Sequence, residues 1–301
     1  MAIRQGRQPD QQIIERHRVD PYLQLLALGL QPGNLDLLVE GGAVDHPFQG
    51  AAGIELAALA TLLGGWLVVR FLHGRESWMR HVSGMAAGYL VALTLLRLLP
   101  ESFELGEAHG EHGAHMALWA LGGFLAVHLI EHGISPHFHY GQECHHHQGH
   151  AGGREGRMTS VLALVGLSLH SFMDGMAITA ALRVNGSLGV LVFLGVLLHR
   201  VPAGATISGI FLGHGFGDRK AVWAAGTLTL AALAGAFSQH VVAVPLGPVL
   251  GIAGGLGLYV ACSDLLPQAQ KEKGWKSTLA LLAGVALFLV TSHLAPHQHG
   301  G

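Results

Sequence analysis

Met158-Thr-Ser-Val-Leu-Ala-Leu-Val-Gly-Leu-Ser-Leu-His170-Ser-Phe-Met-Asp174-Gly-Met-Ala-Ile-Thr-Ala-Ala-Leu182 is a run of apolar and small residues with one imidazole and one carboxylate at its centre. It exceeds the roughly 20 residues that carry a helix across the hydrocarbon core of a bilayer. The same length criterion applied outward along the chain finds eight such runs, at 51–72, 79–99, 115–133, 158–182, 187–213, 220–243, 246–267 and 276–295. Half of the residues are apolar and 12% are charged, a membrane composition. The chain is therefore read as an all-α integral membrane protein, an eight-helix bundle over 51–295. A polar N-terminal tail, 1–50, and a short C-terminal tail, 296–301, flank it.

A formal net charge of −2 leaves no basic face for phosphates and excludes a nucleic-acid partner. The two cysteines, Cys144 and Cys262, are too few for a disulfide framework. Histidine is the unusual residue. There are 22, and half of them lie between His109 and His150.

With the first helix running inward, the loops after helices one, three, five and seven collect Arg70, Arg75, Arg80, Arg154, Arg157, Arg219, Lys220, Lys271, Lys273 and Lys276. The opposite loops offer only Arg183. The positive-inside rule then sets both termini outside. Helix two is expected to end in Leu98-Leu99-Pro100-Glu101 and helix seven in Leu265-Leu266-Pro267-Gln268. Two matching signatures on helices of opposite direction point to an inverted repeat, helices one to three against six to eight, with four and five between.

On a helix, His170 and Asp174 project from one face one turn apart. Together they offer a nitrogen and an oxygen of the kind a zinc-type ion accepts. Ionisable groups in mid-membrane are costly unless compensated, and a bound cation compensates them. The next run holds Leu198-His199-Arg200-Val201-Pro202-Ala203-Gly204, whose glycines and proline allow close helix approach and bring His199 within reach. Each of these residues alone is more simply interhelical polar glue; the three together, in adjacent spans, favour a metal.

The pair HSFMDG and HRVPAG resembles the signature of the ZIP (Zrt/Irt-like protein) metal transporters, with patterns such as HNxPEG and HExPHE. The eight-helix plan, the LLPE sequence and the histidine-rich loop after helix three are similar to that family too. The resemblance implies uptake of a divalent cation toward the cytosol, a 3+2+3 helix arrangement, an elevator-like movement and a homodimer in the plasma membrane, or the inner membrane of a bacterium. It makes His170, Asp174 and His199 ligands of the transport site, with Ser171 at a position where the family often has asparagine. Ala203 stands where a further ligand is common. Arg200 replaces the carboxylate of a second metal site, much as a lysine does in the branch that reads HKAPA, so one ion at a time is expected.

Outside the bundle's centre, Glu101, Glu104, Glu107, His109, Glu111, His112 and His115 form an acidic, histidine-bearing stretch facing outward. The cytoplasmic loop 134–157 holds His137, His139, Cys144, His145, His146, His147 and His150, a ligand density suited to zinc in a receiving or sensing role. His128, Glu131 and His132 match the metallopeptidase pattern H-x-x-E-H, but no soluble domain supplies a further ligand or room for a peptide. They are read as exit ligands together with Asp264, and Glu101 as an entry ligand, so no enzyme is expected. Zinc is the expected substrate, with iron, manganese, cobalt and cadmium as alternatives, since imidazole and carboxylate discriminate poorly among them. The competing readings are a non-transporting metal sensor on the same bundle and, well behind it, the peptidase.

Overall fold

The computed structural model describes residues 76–131, 154–242, 244–271 and 274–294. The expected first helix, the N-terminal tail, His132 and every histidine of the loop lie outside the described residues. Helix is the only regular structure among those described: α1 (Glu76–Leu93) and α2 (Leu99–Ala108), joined by a π turn at Thr94–Leu98; α3 (Gly113–Leu129); α4 (Arg154–Val184); α5 (Gly186–Gly213); α6 (Asp218–Val241); α7 (Leu246–Tyr259) and α8 (Leu266–Gln270), joined by a π turn at Val260–Leu265; and α9 (Lys276–Leu294). Six of the resulting continuous helices are long and apolar enough to cross a membrane, and α3 is a shorter apolar helix. Their outward faces carry Leu118, Trp223, Leu230, Phe237 and Leu294, an apolar exterior for which lipid is the matching solvent.

The Leu-Leu-Pro sequences do not end their helices, contrary to the sequence expectation. Pro100 and Pro267 have no N–H to give to the carbonyls four residues earlier, and their rings crowd those carbonyls. A π turn immediately before each proline widens the ladder, and the chain stays helical to Ala108 and Gln270. Glu101, Glu104 and Glu107, expected in a loop, are accordingly on α2.

Two helix pairs are packed alike. On α1 and α9, a Cβ at Gly88 would lie 2.0 Å from the Leu281 carbonyl oxygen, and one at Gly284 2.0 Å from that of Met85. On α3 and α7, a Cβ at Gly123 would lie 2.2 Å from the Ile252 oxygen, and one at Gly255 1.7 Å from that of Ala120. In both pairs each glycine faces the carbonyl three residues before its partner glycine, so backbone meets backbone and no side chain intervenes. Gly88 precedes Pro100 by the same interval as Gly255 precedes Pro267. An edge-to-face aromatic pair accompanies each contact, Tyr89 on Phe288 at 5.6 Å and Phe124 on Tyr259 at 5.1 Å.

The third weld joins α4 to α6. Cβ atoms at Gly175 and Gly235 would each stand 1.9 Å from a carbonyl oxygen, those of Ala232 and Phe172. Helix α5 follows α4 after a single residue. Asn185 takes an extended backbone, and its Oδ1 accepts from the Leu188 N–H at 2.7 Å, capping α5 at the point where the chain reverses.

Candidate metal centre

α4 supplies His170 and Asp174 from one face, and its glycine contact with α6 fixes the depth of that face. α5 supplies His199. Pro202 cannot donate to the Leu198 carbonyl and so loosens the helix ladder beside His199. The His199 ring is oriented from its far side, where Nδ1 meets the Gly195 carbonyl oxygen at 2.9 Å. A carbonyl only accepts, so Nδ1 carries the proton and Nε2 presents its lone pair.

That lone pair faces two other electron-rich atoms. His199 Nε2 lies 3.2 Å from Asp174 Oδ2 and 3.4 Å from His170 Nε2, and His170 Nε2 lies 3.4 Å from the same carboxylate oxygen. A point equidistant from these three atoms is roughly 1.9 Å from each, against bonds of about 2.0–2.2 Å from zinc to nitrogen or oxygen. A zinc-sized ion therefore fits slightly off their plane, with the three ligand atoms close to where they stand. Among the described residues this is the one group of three or more ligating side chains compact enough for a metal. Asp174 and His199 are buried, and His170 retains slight exposure.

Arg200, adjacent to His199, turns into the same centre and is only 2% exposed. Its Nη2 stands 3.0 Å from Asp174 Oδ2, the oxygen that faces both imidazoles. Nη1 donates to Ser171 Oγ, and Nη2 donates to the Ser171 carbonyl at 3.3 Å. Ser171 thus grips the guanidinium from both its side chain and its backbone, and its hydroxyl is engaged there.

The centre sits between two spaces of unequal size. A cavity of about 140 Å³ runs from His170 and His199 past Ala203 and Thr206 to Glu131 and Asp264. The opposite side has a space of about 30 Å³, bounded by Leu93, Thr94, Leu98 and Val196. The larger cavity is lined by the end of α3 and the π turn after α7, and the helix that follows that turn is capped at Lys271, whose carbonyl accepts from Arg80 at 3.4 Å. Arg157 and Lys220, both over the Phe216 ring, are also at helix ends that the basic-residue count assigns to the cytoplasm.

Glu131 and Asp264 line this cavity but are not among the three clustered ligands, and Glu131 accepts from Tyr259 Oη at 2.9 Å. His128 is stacked edge-on against Tyr259 at 5.9 Å. Glu101 lies half-buried on α2 and takes no part in the centre. Sequence reading missed Tyr259, whose spacing signals nothing, and the Gly195 carbonyl, which the four-residue interval to His199 would have indicated.

The family model described as ZIP Zinc transporter matches residues 141–292, just over half of the chain. The chain belongs to the ZIP family. This is a family of multi-pass membrane transporters, not of enzymes, which disposes of the H-x-x-E-H peptidase reading. Among curated ZIP relatives, mouse zinc transporter SLC39A7 is 31% identical over 157 residues, covering 47% of this chain and 33% of its own length. Rat zinc transporter ZIP4 is 31% identical over 157 residues, with 45% and 22% covered. Zinc transporter ZIP13 of Pongo abelii is 25% identical over 236 residues, with 71% and 67% covered. The chain therefore spans about a third of the length of the SLC39A7 protein it resembles.

Proposed function

We propose that this ZIP-family chain carries a divalent metal ion, zinc first, toward the cytosol through a mononuclear centre of His170, Asp174 and His199. The observation that carries the reading is the convergence of three ligand atoms, 3.2–3.4 Å apart, in the middle of apolar helices beside a cavity that also reaches Glu131 and Asp264. Membership in a zinc-transporter family and relatives named zinc transporters support zinc as the substrate. Iron, manganese, cobalt and cadmium are the competing ions.

The unequal spaces around the centre correspond to an inward-facing state. The ion enters from the outer side near Glu101, is held by the three ligands with water completing the shell, since the Ser171 hydroxyl is taken by Arg200, and leaves past Glu131 and Asp264. His128 would take the ion next, and His132, His137, His139, Cys144, His145, His146, His147 and His150, which follow in the sequence, are the proposed receiving ligands. The mirrored glycine pairs and π turns support an eight-helix, 3+2+3 inverted repeat, and the distribution of basic residues supports both termini outside. In it α1, α3, α7 and α9 form a frame, and α4 to α6 move against that frame as an elevator. A homodimer in the plasma membrane, or the inner membrane of a bacterium, completes the proposal.

The test is uptake by proteoliposomes of the purified chain from a panel of divalent ions, with His170→Ala, Asp174→Asn and His199→Ala singly. All three should lose uptake while eluting as folded protein. Full uptake by all three would refute the site. The Arg200–Asp174 contact at 3.0 Å favours one competitor, a sensor that binds metal and moves none, and that reading predicts binding without flux.

A further inference from the structure

We propose that Arg200 is a tethered counter-cation that lets the metal-free carrier cross the membrane without any exchanged ion, so that each metal moves two net charges. This rests on the transport reading above. A carrier that delivers its ion must return empty, and an empty site here contains a buried carboxylate. An uncompensated buried charge is strongly unfavourable in such a medium. Carriers with a bare carboxylate meet this requirement by picking up a proton or another cation for the return.

In this chain the compensation is built in. Arg200 Nη2 stands 3.0 Å from Asp174 Oδ2, and the guanidinium is 2% exposed. The empty centre is then an ion pair with two imidazoles, neutral as a whole. Ser171 holds the guanidinium through Oγ and carbonyl oxygen, neither of which belongs to the three-atom metal triangle. When a metal bonds Asp174 Oδ2, the guanidinium gives up part of that contact and keeps the Ser171 anchors. The loaded centre carries the metal's two charges plus the neutral Arg200–Asp174 pair, and the empty centre carries none. The cycle transfers two positive charges per ion and uses no counter-transported cation. Asp174 Oδ2 is shared, so the tethered cation also competes with the metal and aids its release.

Two measurements in proteoliposomes of the full chain, loaded with radiolabelled zinc, test this. In the unaltered protein, accumulation under an inside-negative potential of about 60 mV should approach about 100-fold, the value for two charges. It would approach about tenfold if one proton or other monovalent cation left per zinc. The second compares net uptake into metal-free vesicles with exchange into zinc-filled vesicles, which never requires the empty carrier to return. Arg200→Gln should reduce net uptake at least about tenfold more than it reduces exchange, a split that a merely structural role does not produce, and Arg200→Lys should restore net uptake. Exchange doubles as the test of folding. Tenfold accumulation, dependence of net uptake on an internal cation, or full net uptake by Arg200→Gln would overturn the proposal. Absence of both uptake and exchange in the unaltered protein would instead refute the transport reading beneath it.

Discussion

The mirrored pairs α1–α9 and α3–α7 are held together by backbone, whereas α4 and α5 meet through imidazole, carboxylate and guanidinium. In the first region a Cβ has no room, because glycine faces carbonyl oxygen at what would be 1.7–2.2 Å. In the second the contacts are 3.0–3.4 Å between polar atoms, on a line between a large and a small space. Backbone contacts of the first kind set one fixed distance between helices. Polar contacts of the second kind can be exchanged for an ion. The α4–α6 contact at Gly175 and Gly235 is of the first kind as well, so the exchangeable polar contacts are concentrated between α4 and α5 at the metal centre.

The largest expected effect breaks the frame. Gly123 and Gly122 are adjacent, yet only Gly123 faces another backbone; a Cβ on Gly122 meets nothing within 4 Å. Gly123→Val should cost about 3 kcal/mol or more through forced separation of α3 and α7, seen as loss of monodisperse protein in detergent. Gly122→Val should leave the elution profile and melting temperature nearly unchanged. Equal tolerance of both would show that the α3–α7 contact is looser than described.

Next in size is the loss of a ligand. His199→Ala should weaken zinc binding by about 100-fold or more, measured by competition with a chelating dye, while thermal stability without metal changes far less. Here the polar region differs from the frame, since its residues are expected to matter for the ion more than for the fold. The exception is Asp174, because removing its charge strands Arg200 in a buried position. Asp174→Ala should therefore destabilise the chain by about 3 kcal/mol, and Asp174→Asn by less.

The bundle was legible because a membrane helix announces itself through uninterrupted apolarity, and each expected run within the described residues became a helix. The ends were less legible. Leu-Leu-Pro reads as a terminus because proline forfeits a hydrogen bond, yet a π turn accommodates Pro100 and Pro267 and helix continues beyond both. The four-residue spacing of His170 and Asp174 follows from helical geometry alone. That Arg200 points inward and is gripped by Ser171 does not, since a residue next to His199 lies about 100° around the helix and either direction is open to a long side chain. The conspicuous histidine loop told least about the centre, because none of its residues belongs to the spans that form it.

Smaller effects sharpen the boundary between the two regions. Glu131→Gln and Asp264→Asn alter the lining of the large cavity and not the triangle of ligands. Each should slow uptake by a few-fold with zinc affinity at the centre unchanged, a separation visible in maximal rate against half-saturating concentration. Asn185→Ala removes the cap between α4 and α5 and should cost about 1 kcal/mol, read as a small drop in melting temperature.

The central claim, that His170, Asp174 and His199 hold the transported ion, is tested most directly by zinc X-ray absorption on the full chain at one equivalent of metal, with His199→Ala alongside. The unaltered protein should give a shell of two imidazole nitrogens and light oxygen donors at about 2.0–2.2 Å, and the variant should lose one imidazole or the metal itself. An identical spectrum from both, or a shell dominated by sulfur or by three or more imidazoles, would contradict it.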